Sequence, residues 1–509
     1  MTKLKEWAAR WPDKPAGIVA ETGETLSYAT LHVRSARLAD YLVRQGIPAG
    51  AAVAVLIGNS LRYFEVCSGA RRAGLYFTAI STHLKASEVE YIIGDSGSSY
   101  LFISSEFLPL LDAMSPTLIE RLQIMVVDTG AAGSRYDAIV NADAPVPSLP
   151  ERPEGKDFPY SSGTTGRPKG IRQPLNPDPA QVRAVGDWVS YFNFNSEMVY
   201  LSPAPLYHAA PLRYSMRCIE HGGTVILMRR FDARRCLQAI ERHRVTHSQW
   251  VPTMFVRMLA LPEDERRGYK LESMQRVVHA AAPCPTEVKL RMLDWWGPII
   301  WEYYGGSERN GATVISPQEW MSHRGSVGRA VLGKLHILDD QGAECAPGVD
   351  GQVYFSDGPR FEYHNDPAKT ASAHNAKGWS TIGDIGHVDA EGFLYLTDRR
   401  ANMIISGGVN IYPQEAENLL SQHPMVADVA VIGVPNADYG EEVKAVVQLK
   451  NAELASARLA EELIGYCREH LSHIKCPRSV DFEAELPRTE GGKLLKRLIR
   501  DRYRAAQPA

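Results

Sequence analysis

Residues 160–170, from Tyr160 to Gly170, read YSSGTTGRPKG. Small hydroxyl side chains alternate with glycines. Gly163, Gly166 and Gly170 allow backbone N–H groups to come close to a ligand. Ser161, Ser162, Thr164 and Thr165 add hydroxyl donors, and Lys169 adds a positive charge. A loop of this make-up suits a chain of phosphates. It is not a Walker loop, which requires Gly-x-x-x-x-Gly-Lys-Ser/Thr; here Pro168 precedes Lys169 and Gly170 follows it. The bland alternative is a flexible Gly/Ser/Thr linker. The Pro168–Lys169 pair and the apolar run after it argue against that.

Short apolar runs alternate with amphipathic segments on both sides of the loop. Upstream, Ala52 to Ile57 reads as a buried strand and Ser60 to Ala73 as a helix with Tyr63, Phe64, Cys67 and Ala70 on one face. Tyr76 to Ile80 reads as the next strand. Downstream the pattern returns as Thr224 to Met228 (strand), Ala233 to His243 (helix) and Thr246 to Trp250 (strand). Such alternation predicts an α/β fold, a large N-terminal domain of parallel-rich sheets covered by helices. Near Asp398 the character changes. GFLYLTD gives a short strand. Then follow a helix over Gln414 to Gln422, strands over Asp428 to Val434 and Val443 to Leu449, and a helical stripe of Leu459, Leu463, Cys467 and Leu471. This predicts a small α+β C-terminal domain of about 110 residues, a comfortable domain size. The boundary falls at about Asp398 to Asn402, giving domains 1–398 and 399–509.

Composition narrows the function classes. At 509 residues the chain is too long for one core. A net charge of -3 offers no overall basic field for a nucleic-acid backbone. The basic run from Lys493 to Arg504 reads as a solvated face. The seven cysteines form no Cys-x-x-Cys pair, which predicts reduced thiols and a cytoplasmic protein. No apolar h-region follows the N-terminus, and no apolar run approaches about 18 residues, so neither a signal peptide nor a membrane span is expected.

The Tyr160–Gly170 stretch resembles the signature of adenylate-forming enzymes: acyl- and aryl-CoA synthetases, firefly luciferase and the adenylation domains of peptide synthetases. Five further stretches resemble the family's other motifs, in order. They are LSPAPLYHAAP (Leu201 to Pro211), WEYYGGSERNG (Trp301 to Gly311), STIGDIGHVDAEGFLYLTDR (Ser380 to Arg399), SGGVNIYPQEAE (Ser406 to Glu417) and LPRTEGGKLLKR (Leu486 to Arg497). Together they cover about residues 20–500, and the acyl-CoA synthetase branch is the one most resembled.

The resemblance implies ATP, Mg2+ and coenzyme A as co-substrates and assigns roles. Lys493 would reach from a mobile C-terminal domain to bridge the carboxylate and the α-phosphate; Lys496 and Arg497 beside it read as solvated. Glu308 would hold magnesium, with Thr165 on the metal or the β- and γ-phosphates. Ser307 would touch the α-phosphate and Tyr304 would stack on adenine, while Tyr303 stays open between that site and core packing. Asp384 would accept both ribose hydroxyls with Arg399 as its partner. His208 would stand beside the acyl pocket, and Gly407 and Gly408 would line the pantetheine tunnel. Two departures stand out: Ala401 occupies the hinge position where the family usually has Lys or Asp, and Val409 stands where Glu or Asp is common.

For the acid, Trp250, Met254, Ala281, Gly305 and Gly306 are candidate pocket residues. Their apolar or small character favours a hydrophobic acid, with medium or long fatty acids ahead of aryl and alicyclic ones. Arg213 is open between a polar group on the substrate and solvent. No carrier domain follows Lys493, which favours free CoA over a carrier-protein phosphopantetheine. The other reading is a non-catalytic nucleotide sensor, which retention of Lys493, Glu308, Asp384 and Arg399 opposes. A monomer or homodimer is expected.

Overall fold

Strand Ala52–Leu56 is buried at every position, the pattern of a parallel strand covered on both faces. In the computed structural model it lies inside a four-stranded parallel sheet ordered Tyr76–Ala79, Ala52–Leu56, Tyr100–Ile103, Gln123–Val126. The described residues are 2–128, 134–161, 168–175, 189–399, 402–406, 409–436, 439–488 and 494–505. Helix Arg62–Arg72 follows the first strand and buries Tyr63, Phe64, Cys67 and Ala70, as their spacing predicts.

A second, nine-stranded sheet is ordered Arg329–Leu332, Ala312–Ile315, Ile300–Gly305, Arg276–His279, His247–Trp250, Val199–Ser202, Thr224–Leu227, Pro15–Val19, Thr25–Ser27. The run from Ile300–Gly305 to Pro15–Val19 is parallel, and the outer pairs are antiparallel. Successive residues of a strand face opposite ways, so this sheet feeds two cores. Tyr200, Val225, Val278 and Tyr303 pack with helices Tyr28–Arg44 and Ala209–Glu220. Leu201, Ile226, Val277 and Trp250 pack with helices Ala233–His243, Pro252–Leu259 and Thr286–Trp296. A third, antiparallel sheet, Lys334–Leu338, Gly351–Ser356, Asp384–Val388 and Leu394–Arg399, is foreseen in the sequence only at its last strand.

The C-terminal unit is a separate domain with its own core. Strands Val426–Asn436 and Gly440–Leu449 pair along nearly their full length, extending both beyond the apolar runs that mark them in sequence. Strand Ser479–Phe482 joins alongside. Helix Ala457–His470 buries Leu459, Leu463 and Cys467, four residues apart each time. Lys496 is not solvated. Its Nζ lies 2.8 Å from Glu417 Oε1, and both side chains are buried. All seven cysteines are free thiols. Among the described residues no helix is long and apolar enough to cross a membrane.

Two buried histidines make the fold acid-sensitive. Burial and then Arg276 push His247 down to about 4. Burial, then Lys289, holds His279 well below its usual value. Both rings take up protons near pH 6.5 once unfolded, so the unfolded chain binds more protons below that pH. Their contribution is therefore intact above about pH 6.5 and lost as the pH falls towards 4. The urea midpoint should drop across that interval, with a shallower drop in His247→Gln. A midpoint that stays level from neutral pH to pH 4 would contradict this.

Candidate active site

Several of the candidate residues follow the carboxyl ends of neighbouring parallel strands, where open α/β sheets bind ligands. His208 follows strand Val199–Ser202 and is the N-cap residue of helix Ala209–Glu220. Ala281 follows Arg276–His279 with φ of 74°, in the left-handed region that non-glycine residues avoid. Holding it there costs of the order of 1–3 kcal/mol, the kind of strain that collects at functional sites. Gly305 ends strand Ile300–Gly305, and Gly306, Ser307 and Glu308 form the turn into Ala312–Ile315. Gly311 closes that turn. A Cβ there would come within 2.0 Å of the Phe355 ring, which lies beneath Tyr304 with ring centroids 6.4 Å apart.

Tyr304 and Asp384 are joined directly. The Tyr304 hydroxyl donates to Asp384 Oδ2 at 2.6 Å. Asp384 is buried and opens strand Asp384–Val388, whose register sets it opposite Arg399. An aromatic face, a carboxylate and an arginine position are thus gathered at one strand end, a set chemically able to stack a base and accept hydroxyl protons.

Glu308 is buried on the same turn. Tyr363 donates its hydroxyl to Glu308 Oε1 at 2.9 Å, and Gln173 Nε2 donates to the Glu308 carbonyl at 3.1 Å. A Cβ on Gly306 would lie 2.6 Å from Glu308 Oε2 and 3.0 Å from Ile382 Cδ1. Gly306 therefore gives the carboxylate its room beside Ile382, two residues before Asp384. Among the described residues no group of three or more His, Cys, Asp or Glu side chains could hold a metal. A single carboxylate fits a hard, strongly hydrated cation whose remaining ligands are phosphate oxygens and water. Gly306→Ala should push the Glu308 side chain aside and lower turnover at this site about 10- to 100-fold. The melting temperature should hardly move. Unchanged turnover would contradict this role for Gly306.

Lys169 lies opposite Ser161, where Tyr160–Ser161 pairs antiparallel with Lys169–Arg172. Burial and then neighbouring Lys369 push its ammonium down to about 8. Ser307 is held through its backbone. Arg213 Nη2 donates to the Ser307 carbonyl at 3.2 Å, while its Nε donates to Asp157 Oδ2 at 2.8 Å. Burial alone would raise Asp157, but Arg213 and Arg309 outweigh it and bring its carboxyl to about 2. Arg213 thus serves the Ser307 turn, not solvent.

Tyr303 belongs to the core. It accepts from Gln249 Nε2 at 3.0 Å and packs against Tyr214 and Phe192. Trp250 and Met254 are buried in the second core cluster, on the sheet face opposite Tyr303, with the Trp250 ring against Phe255 and Trp296. His208 packs its ring on Tyr207, with centroids 4.5 Å apart. Ser162, Gly163, Thr164, Thr165, Gly166, Ala401, Gly407, Gly408 and Lys493 lie outside the described residues, and Arg399 is described only in its backbone. Tyr363, Gln173 and Arg213 support Glu308 and Ser307 from distant parts of the chain. No local motif marks Tyr363 or Gln173 for that task.

Tyr304 and Asp384 at one strand end, Glu308 on the adjoining turn, Lys169 on its strand pair and a separate C-terminal domain are arranged as an adenylate-forming enzyme would require. The chain belongs to the AMP-binding enzyme family. The family model matches residues 4–360, and that of the AMP-binding enzyme C-terminal domain matches 415–493. Long-chain-fatty-acid--CoA ligase FadD13 of Mycobacterium tuberculosis is 31% identical over 99% of this chain and 98% of its own. Feruloyl-CoA synthase of an Amycolatopsis species is 33% identical over 97% of this chain and 98% of its own. The o-succinylbenzoate CoA synthetase MenE of Bacillus subtilis, solved with its acyl-adenylate intermediate, superposes with a TM-score of 0.82 at 27% identity, covering 98% of each chain. The protein is accordingly an AMP-forming acid–thiol ligase of the acyl-CoA synthetase branch.

Proposed function

We propose that this enzyme converts a hydrophobic carboxylic acid, ATP and CoA into acyl-CoA, AMP and pyrophosphate, with medium- or long-chain fatty acids as its substrates. The observation that carries the reading is the Tyr304–Asp384 hydrogen bond one turn away from Glu308, with Arg399 in register. A carboxylate oxygen attacks the α-phosphorus and the bond to pyrophosphate breaks. Two anions must meet, so the site supplies fixed positive charge and orientation. Lys493 bridges the acid and the α-phosphate. Asp384 and Arg399 hold the ribose, Tyr304 covers the adenine, and Ser307 meets the α-phosphate. Ser161 to Gly166, with Lys169, cradles the remaining phosphates. Magnesium, held by Glu308 and Thr165, would neutralise phosphate charge. In the second step the CoA thiolate attacks the acyl carbonyl, and AMP leaves. Gly407 and Gly408 leave room for the pantetheine arm once the C-terminal domain, bounded near Asp398, has turned about the segment containing Ala401. His208, Ala281, Gly305 and Gly306 border the acyl group, with Trp250 and Met254 behind the sheet. The protein works in the cytoplasm as a monomer or homodimer.

The fatty-acid preference draws support from the resemblance to FadD13, while a feruloyl-CoA synthase at similar identity favours an aryl acid as the second reading. A panel of acids with ATP, magnesium and CoA separates them. The fatty-acid reading expects kcat/KM for dodecanoate to exceed that for ferulate. The reverse order would select the aryl reading, and acid-dependent AMP without thioester would point to a carrier-protein acceptor.

A further inference from the structure

Lys369 has no part in the roles above. It lies in the short helix Pro367–Ser372, just after strand Glu362–Tyr363. Its Nζ stands 5.8 Å from the centroid of the Tyr363 ring, and Lys169 Nζ stands 5.6 Å from the same centroid. The hydroxyl of that ring donates to Glu308. One aromatic side chain thus has two ammonium groups at its ring and a carboxylate at its tip. Both lysines are half-buried. The neighbouring acid, Asp366, caps the helix by accepting from the Lys369 backbone N–H. Two like charges held close on a partly desolvated surface repel, and a π face offsets only part of that repulsion. An anion placed between them would relieve it. An open cleft of about 540 Å³, lined by Arg172, Glu362, Tyr363, Asp366 and Thr370 among others, runs along the strand and helix that carry Tyr363 and Lys369.

We propose that Lys169 and Lys369 together form a cationic clamp for the terminal phosphates of the nucleotide and for the pyrophosphate that leaves. The inference rests on the adenylation reading and adds a residue to it. Lys169 belongs to the glycine–hydroxyl stretch, whereas Lys369 comes from a separate element more than a hundred residues later. As the bond between the α-phosphorus and the bridging oxygen breaks, negative charge grows on the departing pyrophosphate. Two ammonium groups already in place meet that charge without having to reorganise. Tyr363 is the positioning residue that spaces the clamp from Glu308.

The test is calorimetric binding of pyrophosphate and of AMP, separately, to the full-length protein. Lys369→Gln should weaken pyrophosphate about 10- to 100-fold, the effect of one lost charge-assisted contact. AMP affinity should be unchanged, and Lys369→Arg should restore most of the loss. Pyrophosphate affinity equal to wild type would overturn the clamp, and so would a parallel loss for AMP, which means a collapsed helix. Should Lys369→Gln fold poorly, acetic anhydride labelling of the wild type serves instead. Pyrophosphate, but not AMP, should shield Lys369, and equal labelling would overturn the proposal. A wild type that binds neither ATP nor pyrophosphate would sink the adenylation reading as well. Normal wild-type binding with an unaffected variant sinks the clamp alone.

Discussion

Replacing Lys289 with methionine should cost about 3–5 kcal/mol of folding stability, the usual result of breaking a buried ion pair by removing one partner. Lys289 is fully buried, and its Nζ lies 2.6 Å from Glu302 Oε2. His279 Nε2 lies 3.3 Å from the same oxygen, but burial keeps that ring neutral, so it brings no charge. The Lys289 ammonium also stands 4.6 Å from the Trp320 ring centroid. Burial raises the Glu302 pKa and Lys289 opposes the rise. Without the lysine the carboxylate is left buried and unpaired, or must take up a proton. Urea titration at pH 7 reads the loss directly. Pairing Lys289→Met with Glu302→Gln should recover a large part of it, because no charge is then stranded. A single variant as stable as wild type would contradict the account. Glu302 sits two residues before Tyr304 on strand Ile300–Gly305, so this pair anchors the strand from which the nucleotide site is built.

Lys493→Ala should slow adenylation about 100- to 1000-fold, the range seen when one preorganised electrostatic group is lost. Thioester formation from a presynthesised acyl-adenylate should proceed at close to the wild-type rate, because the role proposed for the lysine is confined to the first step. Single-turnover assays of each half-reaction separate the two. Equal slowing of both, or no effect on adenylation, would contradict the assignment. A nucleotide sensor would also show no effect. The residues flanking the TEGGK segment are firmly held: Arg488 pairs with Leu494 across it, and Lys496 is tied to Glu417.

Local signals make much of the fold legible in the sequence. Periodicity located helix Ala233–His243 residue for residue, since Asp232 caps it and Arg244 ends it with φ of 49°. The alternating pattern identified the parallel sheets because strands buried on both faces read as unbroken apolar runs. The antiparallel sheet from Lys334 to Arg399 was mostly hidden, since its strands are half-exposed and broken by turns. In the site, the resemblance to the family's motifs marked Glu308, and Asp384 with Arg399 as its partner, but the contacts that hold Glu308 are set by tertiary structure alone. Nothing near Glu308 in sequence points to Tyr363, and nothing near Lys169 points to Lys369. Trp250 shows the reverse problem. Its apolar character suits a pocket, yet the two-residue pleat turns it towards Phe255 and Trp296 in the second core. Lys496 reads as solvated from its basic run and is instead paired, because Glu417 on another helix cannot be seen from local charge.

Attack by a carboxylate on the innermost phosphorus of ATP leaves an isotopic trace. Incubation of the enzyme with ATP, magnesium, CoA and an accepted acid labelled with 18O in its carboxylate should yield AMP carrying one 18O atom, with unlabelled pyrophosphate. Label absent from AMP, or acid-dependent release of ADP and phosphate, would contradict such an attack.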